Sequence, residues 1–362
     1  MSPAVGDAVG ALYFITNEQS GNFVVASDIG SDGTVTLRQA VSTGGLGLHG
    51  NEGGVDGPDG LFTQGAIKTS AASNMLATVN PGSNTLSLFS IDPSNPIDIK
   101  HVGDPVGSGG EFPVSVAFNK AGDTLCALNG GAVNGVSCFQ VSSNGLTSLG
   151  GTTRSLNLNQ TTPATGPAGS ASHIIFSEDN TQLIVSVKGV PPTPGFLAVW
   201  DVAADGSLSQ DFNSIAPPQG GLLPFSMTLI EGTNAILATD AGVGFDIFDL
   251  SSSSNDSSVV PIDGQSATCW SSFSNQTGNF YLTDIGTSIV TEVNVSENLQ
   301  GSIVQQYPQG NNSGTIDNDI ASVGGQDFMY VLAANITSID VLSLNCSGKS
   351  TKHSEAINCW PG

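Results

Sequence analysis

Positive charge is what this chain has least of. Among 362 residues, eight Lys and Arg stand against 31 Asp and Glu, a formal net charge of −23. Such a surface repels phosphate backbones and anionic headgroups, which excludes nucleic acid and acidic membranes as partners. No apolar run approaches the roughly 18 residues of a spanning helix. Leucine at 3.6-residue spacing, which a helical protein of this size needs, is missing. The start MSPAVGDAV lacks the basic and apolar regions of a signal peptide, so a secreted form would be one whose signal has been removed. There is no G-x-S-x-G elbow, no H-E-x-x-H, no phosphate-binding P-loop and no dinucleotide fingerprint. His49, His101, His173 and His353 are scattered without zinc-ligand spacing.

What is abundant is Gly, Ser, Thr, Asn and Val, a vocabulary of short strands and tight turns. Sequons for N-linked glycans occur at Asn159, Asn255, Asn275, Asn294, Asn311, Asn335 and Asn345. Cys126 and Cys138 sit symmetrically about the turn NGGAVNG, as cross-strand partners would, and Cys346 and Cys359 bracket a polar tail, which leaves Cys269 unpaired. Sequons and paired cysteines together predict a secreted, extracellular or cell-wall glycoprotein.

Internal repetition sets the expected architecture. The runs ALYFITNEQSG, MLATVNPGSN, TLCALNGGAVNG, QLIVSVKGVPP, AILATDAGVG, NFYLTDIGTS and FMYVLAANIT share an apolar stretch ending near Asn or Asp. A second strand-like run follows each, as in NTLSLFSID and GFLAVWDV, and a third precedes most, as in PVSVAFN and SHIIFS. Four short strands every roughly 40 to 60 residues is the signature of a propeller blade, which cannot bury both faces alone. The prediction is an all-β, single seven-bladed propeller of four-stranded antiparallel blades over 1–345, with a tail at 346–362 pinned by the Cys346–Cys359 bridge. The innermost strand of the first blade would come from PAVGDAV, and AINCW would close the ring.

The segments GPDGLFTQGAI, NPGSNTLSLFSIDPSNP, GEFPVSVAFN, LNGGAVNGVSCF and FSEDNTQLIVSVKG resemble secreted fungal proteins named after 3-carboxymuconate cyclase, within the 6-phosphogluconolactonase-like lactonases. The resemblance covers nearly the whole chain and implies a seven-bladed fold without a required cofactor. It also implies a carboxylate-binding site of His, Arg and Glu. Here those positions read Val114, Ser172 and Lys188, with His173 beside the second. The lactonizing chemistry, which needs cationic donors beside a general acid or base, loses its usual groups.

Lys188 is therefore the residue of most interest. At the mouth of the channel, beside LIVSV, desolvation would favour its neutral amine, nucleophilic or able to form an imine. The alternative is a structural lysine paired with a carboxylate such as Glu18, which occupies the matching place in its own blade. Val114, Ser172, Phe225, Cys269 and Trp270 would share that mouth, an apolar and aromatic ring suited to a small flat organic ligand, held covalently by Lys188 or Cys269. A conjugated carbonyl joined to Lys188 would make the protein a pigment carrier. A lactonase or cyclase using Lys188 and His173, and a non-catalytic cell-wall or antigenic glycoprotein, are the competing functions. Glu52, Asp56 and Asp59 in NEGGVDGPDG, and DND at 317–319, offer oxygen ligands, but turn chemistry accounts for them and no metal is expected.

Overall fold

A computed structural model describes residues 8–54, 57–251 and 257–355. Each sequence repeat folds into one small antiparallel sheet, and the seven sheets form a seven-bladed β-propeller. Among the described residues the one helical element is a 3-10 turn at Ala334–Ile336.

Blade 4 shows why these residues make these elements. Its strands run Ala171–Phe176, Gln182–Val187, Phe196–Asp201 and Asn213–Ile215 from the axis outward. The first turn is set by Asp179, whose carboxylate accepts the Thr181 N–H at 3.0 Å, and by Asn180 in the left-handed region at φ 58°. The second strand, QLIVSV, is apolar on both faces because a neighbouring blade covers each one. Blades 5, 6 and 7 repeat the four-strand pattern, and blades 2 and 3 add a two-residue strand.

Blade 1 departs from expectation. It has three strands, Ala8–Ile15, Phe23–Gly30 and Val35–Ser42, and no inner strand among the described residues. Of PAVGDAV, Ala8 and Val9 begin its first strand and the rest lies outside the described residues. The ring closes by side-chain packing: Ile29 and Val35 join Val323, Phe328, Tyr330, Ile339 and Val341 of blade 7 in one buried cluster. A Cβ on Gly33 would lie 2.3 Å from the Phe328 ring, so that approach needs glycine. The tail does supply an outer strand to blade 7, Lys349–Glu355; AINCW and Cys359, and with them the expected Cys346–Cys359 bridge, lie outside the described residues. Cys126 and Cys138 are directly paired across neighbouring strands of blade 3 and are bridged.

The recurring Asn or Asp at the end of each second strand also has a physical cause. Asn17, Asn80, Asn129, Asp240 and Asp284 are all buried. Each holds backbone or side chains of the turn that follows or of the segment beside it. Asp284 alone accepts N–H groups from Ser266, Ala267, Gly286 and Thr287 at 2.7 to 3.1 Å. Blade 4 places Lys188 there instead.

Candidate functional site at the channel mouth

The inner strands all start at the Lys188 end of the channel, and that end is filled by the chain itself. The glycine-rich segment that links blade 1 to blade 2 crosses the axis as Leu61–Ala66, every residue of it buried. Gln64 is its central pin. Its side chain donates to the Ser271 carbonyl at 3.0 Å and accepts the Ser271 N–H at 3.2 Å, while its carbonyl accepts the Ser115 hydroxyl at 2.7 Å. Its N–H donates to the Ser172 carbonyl at 3.3 Å. One residue thus ties the inner strands of blades 3, 4 and 6. Trp270 adds an indole N–H donated to the Thr63 carbonyl at 2.8 Å, and the Thr63 hydroxyl donates to the Ser172 carbonyl.

Phe62 anchors the crossing. It is 1% exposed and left-handed at φ 57°, a conformation that costs a bulky residue about 1–2 kcal/mol. Its ring sits between Gly50 and Gly166, where a Cβ at either position would come within 2.5 Å of it. Asp59 caps the same turn by accepting the Phe62 N–H at 2.9 Å.

Lys188 is 3% exposed beneath this crossing. Its ammonium donates to the Phe62 carbonyl at 2.8 Å and to the Ser172 hydroxyl, and lies 4.3 Å from the centre of the Phe225 ring. Burial pushes its pKa down, and the charge of Asp59 pulls it back up. The same burial pushes the Asp59 carboxyl up against the opposing pull of Lys188. Burial thus works against both charges, and each charge favours the other.

Of the residues singled out from sequence, Lys188, Ser172, Phe225, Cys269 and Trp270 come together here. Phe225 and Trp270 meet edge to face with centroids 5.1 Å apart, and Cys269 packs with both as a buried free thiol whose pKa is raised by burial. Val114 is buried in the neighbouring core rather than lining this cluster. Glu18 is exposed; the carboxylate that acts on Lys188 is Asp59, which corrects the sequence-based pairing. His173 faces a deeper level of the channel, where burial holds it well below the usual histidine range. Arg38 and Arg154 lie far from the mouth in outer segments, Arg38 paired with Asp28 and Arg154 bonded to the Thr153, Leu208 and Ser209 carbonyls. Sequence reasoning missed Phe62, Thr63 and Gln64 altogether, and weighed Asp59 only as an oxygen ligand for a metal. Among the described residues no group of His, Cys, Asp and Glu could hold a metal ion.

No known family model matches the chain, and no curated protein does. Solved structures match it in fold. A putative 6-phosphogluconolactonase from Bacteroides fragilis superposes with a TM-score of 0.67 at 13% identity, over 97% of this chain and 95% of that one. The periplasmic gluconolactonase of Pseudomonas aeruginosa gives 0.59 at 16% identity, over 80% and 82%. A hypothetical selenium-binding protein from Sulfolobus tokodaii gives 0.62 at 12% identity, over 96% and 93%. At these identities the likeness shows the fold, a seven-bladed β-propeller. Its differently named members show that the fold does not fix the chemistry.

Proposed function

We propose that this lactonase-type propeller is a small-molecule-binding protein that holds a flat, conjugated carbonyl compound at Lys188, secreted as the sequons suggest. The observation that carries the reading is one buried amine, set against an aromatic ring and acted on by the charge of the Asp59 carboxyl, in a chain with few cations. The ligand takes the place of Phe62 and Thr63 at the mouth and lies against Phe225 and Trp270, with Asp59 left beside the amine. Asp59 accepts the ammonium proton, and the free Nζ lone pair attacks the carbonyl carbon. The carbinolamine nitrogen passes one proton to the oxygen and Asp59 returns the other, so the oxygen leaves as water and a protonated C=N bond remains. No oxidant or reductant enters this balance.

A lactonase or cyclase reading lacks the cationic cluster that would bind a substrate carboxylate. The scaffold reading rests on a specific observation, the Gln64 bonds to three inner strands that close the channel. The absorption spectrum from 300 to 700 nm and the intact mass of protein from its natural source separate the two. A visible band with a mass increment on the Lys188 peptide supports the carbonyl-binding reading. A colourless chain carrying only glycans supports the scaffold.

A further inference from the structure

Below the Gln64 crossing, the channel holds polar groups that the protein leaves without partners. Gly65, in the left-handed region at φ 85°, passes close to two of its walls: a Cβ there would lie 2.8 Å from Ser115 Oγ and 3.2 Å from His173 Nε2. His173 is 3% exposed, and its Nδ1 accepts the Met227 N–H at 3.0 Å. The neutral ring therefore carries its proton on Nε2, and that nitrogen has no partner.

Two residues beyond the crossing on the inner strand of blade 2, Ile67–Ser70, Lys68 is half-buried. Among the described residues it makes no hydrogen bond or ion pair, yet its charge is felt by both His173 of blade 4 and Asp317 of blade 7, which places it near the axis. On the blade 7 side, the Asp317 carboxylate accepts the Asn318 N–H at 2.9 Å and the Gly65 N–H. Asn318 Oδ1 is buried without a partner, and Asp319 stands at the exposed rim. Donors thus face the axis from blades 2 and 4, and acceptors from blade 7.

We infer that this end of the channel is a second binding site, for a small zwitterion of the α-amino acid class. Its carboxylate would bind Lys68 Nζ and His173 Nε2–H, and its ammonium Asp317 and Asn318 Oδ1. A carboxylate alone would answer the donors but meet Asp317 and Asp319; a cation alone would meet Lys68. Only a molecule carrying both charges answers every group, since a buried polar group without a partner is costly to leave.

The test is calorimetric titration of the full chain with glycine, acetate and methylamine. Glycine is expected to bind saturably, at least tenfold tighter than either half-molecule. Lys68→Met weakens glycine at least tenfold, whereas Lys100→Met, which removes an exposed lysine on an outer strand, leaves it unchanged. The far-ultraviolet circular dichroism of both variants confirms that they are folded. Should Lys68→Met fail to fold, the His173 Nε2 nitrogen resonance of the wild type is expected to move on glycine addition. Absence of saturable glycine binding overturns the proposal in favour of internal water. Acetate binding as tightly as glycine overturns the zwitterion assignment, and an unaltered Lys68→Met isotherm overturns the site.

Discussion

Asp246→Asn is expected to make the protein more stable at neutral pH while leaving it unchanged under mild acid. Asp246 and Asp240 are both 0% exposed on adjacent strands of blade 5. Asp240 is committed as an acceptor, holding the Gly242 N–H at 2.8 Å and the Leu222 N–H. In blade 2 the comparable pair is Asn80 and Ser87, where the amide donates at 2.8 Å. Two carboxyls can form such a contact only if one keeps its proton, and burial, with the charge of Asp240, pushes Asp246 well above the usual carboxyl range. A carboxyl whose folded pKa is raised favours folding fully below its unfolded pKa, and that contribution is lost as pH rises through the folded pKa. One proton corresponds to a slope of about 1.4 kcal/mol per pH unit. Asparagine keeps an N–H donor toward Asp240 at every pH. The difference in unfolding free energy between Asp246→Asn and wild type should be near zero at about pH 4, the unfolded carboxyl range, and should grow in the variant's favour toward neutral pH. Urea unfolding at unit intervals measures it. A difference that stays flat, or favours wild type at neutral pH, refutes the shared proton.

Further expectations follow from the same contacts. Gln64→Ala leaves the Ser271 N–H without its buried acceptor and removes the pin of the crossing, a loss of about 2–4 kcal/mol in chemical unfolding. Replacing Cys126 and Cys138 by serine opens a loop of sequence separation 12 and should lower stability by about 3 kcal/mol, measured the same way. In a glycosylating host, peptide mapping should find glycans among the exposed Asn159, Asn275, Asn311, Asn335 and Asn345. It should find none at Asn294, which is half-buried and donates to Asn279 at 2.8 Å; Asn255 lies outside the described residues.

The propeller was legible because most blades repeat one apolar run, one Asn or Asp and one glycine turn, and the Cys126–Cys138 pair because it flanks such a turn symmetrically. The cluster at Lys188 was legible in part for the same reason: aligning the repeats brings Ser172, Phe225, Cys269 and Trp270 to one level. The crossing was not, because NEGGVDGPDGLFTQG has no strand periodicity and its Asp–Gly pairs read as surface turns. One signal was present: the apolar pair Leu61–Phe62 follows the glycines directly, as a segment entering a core would. Glu18 was paired with Lys188 by repeat position, yet the carboxylate whose charge acts on Lys188 belongs to a connecting segment. His173 was singled out beside Ser172, but its relation to Lys68 gave no signal because it passes through Gly65, a contact between blades that no local pattern encodes.

The measurement closest to the central claim is trapping at Lys188. The folded protein is mixed with cinnamaldehyde, whose imine borohydride reduces by delivering hydride to the C=N carbon, and the adduct is located by peptide mass. The account predicts one dominant adduct on Lys188, formed more slowly in Asp59→Asn, which removes the group that takes the ammonium proton and returns it to the departing oxygen. Adducts confined to exposed lysines such as Lys100, with Lys188 unmodified in both proteins, would contradict it and leave Lys188 as the buried pin of a closed channel.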